Sequence, residues 1–181
     1  MDIRVHRILK GSRANGPGCR NVVWFQGCSL KCPGCFNPET HGRSGGYPMA
    51  ADVLAEALLT GSPNGITISG GEPFQQASGL LALLHCLWEK KSPSVLVFSG
   101  YAESELRADP EKAACLDWID ALICGPFLPN APAAYDRFCS SENQRLVLLT
   151  ERLKETDFRD LPLSEVIIGE DGDAVISGIF P

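Results

Sequence analysis

Three cysteines fall within eight residues, Cys28-Ser29-Leu30-Lys31-Cys32-Pro33-Gly34-Cys35, spaced C-x3-C-x2-C. Close thiolates are soft ligands that suit iron or zinc. A [4Fe–4S] cluster normally takes four cysteines, so three would leave one iron open to a small chelating molecule. Two other readings of the triplet stay open. His41 follows shortly after Cys35 and could complete a three-cysteine, one-histidine zinc tetrahedron. The C-x2-C pair could also be a thiol–disulfide motif. A second segment, Ser69-Gly70-Gly71-Glu72-Pro73-Phe74, bears on the choice. Its glycines let a ligand approach the backbone and offer amides to a carboxylate, while Glu72 can accept hydrogen bonds from an ammonium group. Alone it reads as a capped helix start with Pro73 in the first turn. Beside an under-liganded cysteine triplet, it reads as a cradle for an amino acid.

Segments of alternating type must position these residues. Residues 21–27, 66–70, 95–100 and 121–125 are short β-branched or apolar runs ending in glycine, as buried strands would. Residues 49–60 and 76–89 carry apolar residues at helical spacing, with Pro48 ahead of the first. Residues 104–116 predict a helix interrupted at Pro110. Further strands are expected over 145–149, 165–169 and 174–178, the last two joined by an Asp171-Gly172 hairpin turn. The alternation predicts one α/β domain over 1–181 with a mainly parallel sheet. The carboxyl ends of its strands would form the functional edge.

Composition excludes several classes. A chain of 181 residues needs no covalent staples to fold, which argues against a disulfide miniprotein. The net charge of −6 argues against a general nucleic-acid or anionic-membrane binder. No apolar run is long enough to span a bilayer, and residues 1–6 lack the apolar core of a signal peptide. The eight cysteines therefore fit a reducing cytoplasm, where clustered thiols mean metal or redox chemistry.

The triplet followed by a strand-end Gly-Gly-Glu-Pro resembles the radical S-adenosylmethionine (SAM) superfamily. More narrowly, the chain resembles the activases of anaerobic (class III) ribonucleotide reductase. The narrower likeness is carried by Asn15-Gly16-Pro17-Gly18-Cys19-Arg20, Ser99-Gly100-Tyr101, the segment 120–127 and Ser141-Glu142-Asn143-Gln144-Arg145, in order over about 14–150. The resemblance implies a compact partial (β/α) barrel of radical SAM type. It implies that Cys28, Cys32 and Cys35 hold a [4Fe–4S] cluster whose open iron binds SAM. Gly70, Gly71 and Glu72 would hold the methionine moiety. Gly34, Phe36 and Asn37 would lie at the adenosine, Phe36 supplying the ring that many relatives place before the third cysteine. Ser99 would reach the ribose or carboxylate. The implied reaction is reductive cleavage of SAM to a 5′-deoxyadenosyl radical that takes a hydrogen atom from a glycine of a partner enzyme. A donor such as flavodoxin or ferredoxin would supply the electron.

Three departures from the activases stand out: Cys124 where they usually have aspartate, His41 where they often have tryptophan, and a segment 137–144 about two residues longer. They open a second reading, modification of another peptide or a small molecule. A third, of a different class, is a non-enzymatic zinc or iron–sulfur module using His41. Cys86, Cys115, Cys124 and Cys139 lack pair spacing and read as structural, as does Cys19 despite its place near the first predicted strand. His6 and His85 read as surface or satisfied histidines, and Asn15-Gly16-Pro17-Gly18 primarily as a turn.

Overall fold

The structure, a computed structural model, describes residues 1–134, 138–168, 172 and 174–178. One seven-stranded sheet has the order β3-β1-β2-β4-β5-β6-β7. Its centre is β2 (Arg20–Phe25), β4 (Gly65–Gly70), β5 (Ser94–Ser99) and β6 (Ala121–Cys124), all mutually parallel. Antiparallel strands flank it: β1 (Asp2–Ser12) and β3 (Tyr47–Ala50) on one side, β7 (Arg145–Leu148) on the other. A separate hairpin of β8 (Ser164–Ile168) and β9 (Ala174–Gly178) closes the described chain. The expected turn residue Asp171, the strand end Gly169 and Arg137 of the lengthened segment lie outside the described residues.

Side chains alternate across a strand, so each central strand feeds two cores. On one face Val23, Phe25, Ile66, Ile68, Val95 and Val97 pack against all four helices, α1 (Ala51–Leu59), α2 (Ala77–Lys90), α3 (Glu103–Ala108) and α4 (Pro110–Leu116). Among the described residues the other face carries no α-helix, only the short 3-10 turn Glu155–Phe158. Phe138, Leu153 and Phe158 cover Leu96, Ala121 and Ile123 at one end. At the other end Ile167 and Val175 of the hairpin pack on Leu9, Val22 and Trp24. A hollow remains between these two covers. The fully buried Arg20 lies on the same face, and its guanidinium donates to Thr67 Oγ1 (2.7 Å), Ser94 Oγ and the carbonyls of Pro17, Ile66 and Ser94. Burial lowers its pKa to about 10, partly offset by Asp120, so it stays charged and cross-links β2, β4 and β5 at their amino ends.

Two strands escape the sequence pattern. β1 contains register shifts between Val5 and Arg7 and between Leu9 and Ser12, which break the period-two alternation that marks a strand. β3 occupies residues expected to begin a helix: Pro48 pairs with Arg4 on the sheet edge, where a missing N–H costs no ladder bond, and α1 starts only at Ala51. The helix expected over 104–116 is two helices. Asp109 ends α3, and its carboxylate accepts from the amides of Glu111 and Lys112 to cap α4, with Pro110 in the first turn.

Candidate functional site

The parallel strands deliver their carboxyl ends to one edge, and the residues singled out by type and spacing meet there. Cys28, Cys32 and Cys35 line an open cavity of about 130 Å³ together with Gly70, Gly71, Glu72 and Ser99. The loop leaves β2 at Gly27 and is zipped back onto its own start. Gly27 N donates to Thr40 O (2.7 Å) and Cys28 N to His41 O (3.2 Å). Inside it, Cys35 N donates to Cys32 O, and Gly34 adopts a left-handed φ of 69° with Phe127 and Pro129 against it. An aromatic residue at 34 would be strained in that conformation, which explains glycine before the third cysteine. Gly34 itself does not line the cavity. Phe36 and Asn37 do, and the Phe36 ring lies 4.8 Å from that of Phe127.

Burial raises the Cys28 and Cys35 thiols above their usual pKa. The Asn37 amide, donating to Cys35 Sγ, and the Leu30 and Lys31 amides at Cys28 work against that rise. Amides already aimed at sulfur are what bound thiolates need. Among the described residues, no group of three or more His, Cys, Asp or Glu side chains converges on a single-ion site. Three thiols spaced around one cavity instead fit a multi-iron group whose ligands bind different irons.

The Gly-Gly-Glu segment is held by backbone packing. Gly71 N donates to Phe25 O (2.8 Å) and Glu72 N to Gly27 O (2.9 Å). A Cβ on Gly71 would lie 2.3 Å from the Gly27 carbonyl oxygen, so no other residue fits. This corrects one expectation: the Gly71 amide is engaged by the end of β2 and is not free for a ligand carboxylate. Glu72 is buried. Its Oε1 accepts from Phe74 N (3.0 Å) and Ser99 Oγ (3.0 Å), and its Oε2 from Gly100 N (2.7 Å). The capped helix start and the cradle thus coexist, because a carboxylate offers about four lone-pair sites and three are used. Burial pushes the Glu72 pKa up to about 7 against the pull of these hydrogen bonds and of Lys112. Ser99 also differs from expectation. Its hydroxyl donates to Glu72 and accepts from Tyr101 N, so it ties β5 to the carboxylate rather than standing free.

The chain matches the family model described as a 4Fe-4S single cluster domain over residues 14–147. It belongs to that family. The domain is also 32% identical to the anaerobic ribonucleoside-triphosphate reductase-activating protein of Vibrio cholerae, over 68% of this chain and 83% of that one. The protein of the same name from Enterobacteria phage T4 is 28% identical, over 77% of this chain and 90% of its own length. The pyruvate formate-lyase-activating enzyme of Clostridium pasteurianum is 36% identical over 54% of this chain, but the match spans only 44% of that enzyme. These relatives are radical SAM activases. This 4Fe-4S single cluster domain is accordingly an enzyme of the radical SAM type whose cofactors are a [4Fe–4S] cluster and SAM.

Other residues find their places around the site. Cys124 lies outside the cavity, packed in the helix-side core with Sγ toward Arg145 O. Cys19 directly precedes β2 at its amino end, held by Asn64, with the six residues of the strand between it and the loop. His6 bonds Gln26 and faces Glu39, and His85 stacks edge-on to Trp118. Phe127 and Gln144 line the cavity although their residue types carry no signal of their own. Gln144 donates to Gly125 O and accepts from Ser140 N, bracing the loop after β6. Only their stretches within the family resemblance pointed to them. No helix among the described residues is long and apolar enough to cross a membrane.

Proposed function

We propose that this enzyme generates a glycyl radical on a partner protein, with Cys28, Cys32 and Cys35 as the cluster ligands. The observation that carries the assignment is the meeting of these three thiols with the buried Glu72 in one open cavity. When bound, the cluster supplies the electron that cleaves SAM to methionine and a 5′-deoxyadenosyl radical. The protein's share is position and exclusion of water. Glu72, fixed by Ser99 and Gly100, offers its remaining acceptor site to the SAM ammonium group. Gly70 and Gly71 border the same space, and Phe36 against Phe127 gives adenine an aromatic wall. The sheet, with its four α-helices on one face, supports a reading as an open partial barrel over a single domain. We place the reaction in the cytoplasm, where thiols stay reduced, with a flavodoxin- or ferredoxin-like electron donor.

A second hollow of about 260 Å³ adjoins the first and shares Phe36, Asn37, Ser69, Phe98 and Ser140 with it. Ser177 and Ile176 of the hairpin wall it. Arg7, lying over the Trp24 ring at 4.3 Å, also lines it and holds a buried Nε without a hydrogen-bond partner. In our reading the partner's glycine segment enters here, and its main-chain carbonyls meet the guanidinium. Arg7→Met is then expected to raise the partner concentration for half-maximal radical yield about 10- to 100-fold, the loss typical of one hydrogen bond to a charged group.

The test of the function is anaerobic incubation of the reduced, SAM-loaded enzyme with an anaerobic ribonucleotide reductase. A glycyl doublet in electron paramagnetic resonance supports the proposal. SAM cleavage without a doublet would move the assignment to another peptide or a small molecule. That second reading drew on Cys124, which the fold places in the core away from the cavity, and on the lengthened segment 137–144, of which Ser140 and Gln144 line the cavity.

A further inference from the structure

His41 closes the cysteine loop and lines the same cavity as the three thiols. Its backbone is fully engaged there, the carbonyl accepting from Cys28 N and the amide donating to Pro38 O. Its side chain is not. Nε2 is sealed from solvent and has no hydrogen-bond partner. A buried polar atom left in that state is costly, and no group among the described residues relieves this one. His41 borders the cavity, so a group that fills it can supply the missing partner. The first group to fill a pocket walled by Cys28, Cys32 and Cys35 brings acceptor sulfurs to it. Only His41 among the three histidines is so placed, since His6 and His85 have partners outside the cavity.

We propose that His41 donates its Nε2–H to a sulfur of the bound cluster, as a positioning and potential-setting residue rather than an iron ligand. The inference rests on the three cysteines being the cluster ligands. Hydrogen bonds to cluster sulfurs favour the reduced state, which carries one more negative charge, and so raise the reduction potential. An iron–nitrogen bond is the opposing possibility. It would occupy the iron that the cysteine triplet leaves open, the one on which SAM depends.

The experiment uses the full chain, reconstituted and reduced without oxygen, with its histidines labelled with nitrogen-15. Pulsed electron paramagnetic resonance of the reduced cluster should show a weak nitrogen-15 coupling that is absent from His41→Phe. A redox titration should show the reduced-to-oxidised ratio of His41→Phe lowered about tenfold at a fixed potential, a shift of about 59 mV for a one-electron couple. His41→Gln keeps an amide donor at similar reach and should recover most of that shift. No histidine coupling in the labelled wild type overturns the proposal, as does an unchanged potential in His41→Phe. A strong coupling, as from a nitrogen bound to iron, overturns it equally. The coupling is read in wild-type protein, so a poorly folding variant does not remove the test. A wild type that builds no cluster overturns the cysteine assignment itself, which its iron content reports separately.

Discussion

Cys32→Ala, reconstituted with iron and sulfide without oxygen, is expected to lose its four-iron cluster and to form no 5′-deoxyadenosine above background. Wild-type protein should bind about four irons per chain. Each of the three thiols lines the cavity at a different point of one loop, and none of the other cysteines does. Removing any one leaves an iron without its protein ligand, so Cys28→Ala and Cys35→Ala should behave alike. Cys115→Ser is the matched control, because that thiol is buried among α2 and α4 with Sγ toward Ala77 O. Its cluster content should equal that of wild type. The same loop predicts a pH dependence of loading. Burial holds the Cys28 and Cys35 thiols protonated above their usual range, so loading must release protons and should be faster in alkaline than in neutral buffer. Full cluster and full SAM cleavage in Cys32→Ala would falsify the ligand assignment.

Glu72→Gln is expected to weaken SAM binding by about 10- to 100-fold, the usual loss when a hydrogen bond to a charged group goes. The substitution is not innocent inside the protein either. Glu72 accepts at both oxygens, from Phe74 and Ser99 on one and from Gly100 on the other, so a glutamine NH2 must oppose a donor whichever way it is turned. The pH dependence separates the two effects. In the unliganded protein the Glu72 pKa is raised from 4.5 to about 7, chiefly by burial. Its contribution to stability is therefore fully present below about 4.5 and is lost as pH rises through about 7, where a carboxylate must be held in the interior. A shift of that size corresponds to something on the order of 3 kcal/mol. Glutamine does not titrate, so denaturation of Glu72→Gln should lack this slope. An ammonium group beside the carboxylate restores the ionised form, so SAM should bind wild type more tightly as pH rises toward 7, with release of a proton. Calorimetry in buffers of different ionisation enthalpy measures that proton directly. Equal affinity and an equal pH profile in both proteins would remove Glu72 from the SAM site.

Sequence and structure divide the remaining features by range of interaction. The cysteine loop, the Gly-Gly-Glu segment and the four central strands are local: spacing, apolar runs and terminal glycines announce them without reference to the rest of the chain. The ends of the elements moved by only a residue or two, because Pro110 and the glycines after the strands impose local stops. β1 was lost because its bulges shift the side-chain parity, and β3 because a proline ahead of an apolar helix looks like a helix start.

The chemistry was set by the sequence alone in its donors: three soft thiols, one carboxylate and the glycines that let strands meet. What each donor is free to do was decided only in three dimensions. The Gly71 amide proved to be engaged by Phe25, the Ser99 hydroxyl by Glu72, and Gly34 served the loop's left-handed turn rather than the cavity wall. His41 Nε2 and Arg7 Nε were left without partners, and Cys124 was carried to the far side of the sheet. Hydrogen-bond capacity is a property of the residue, but its occupation depends on which distant backbone arrives beside it, and spacing along a chain cannot report that.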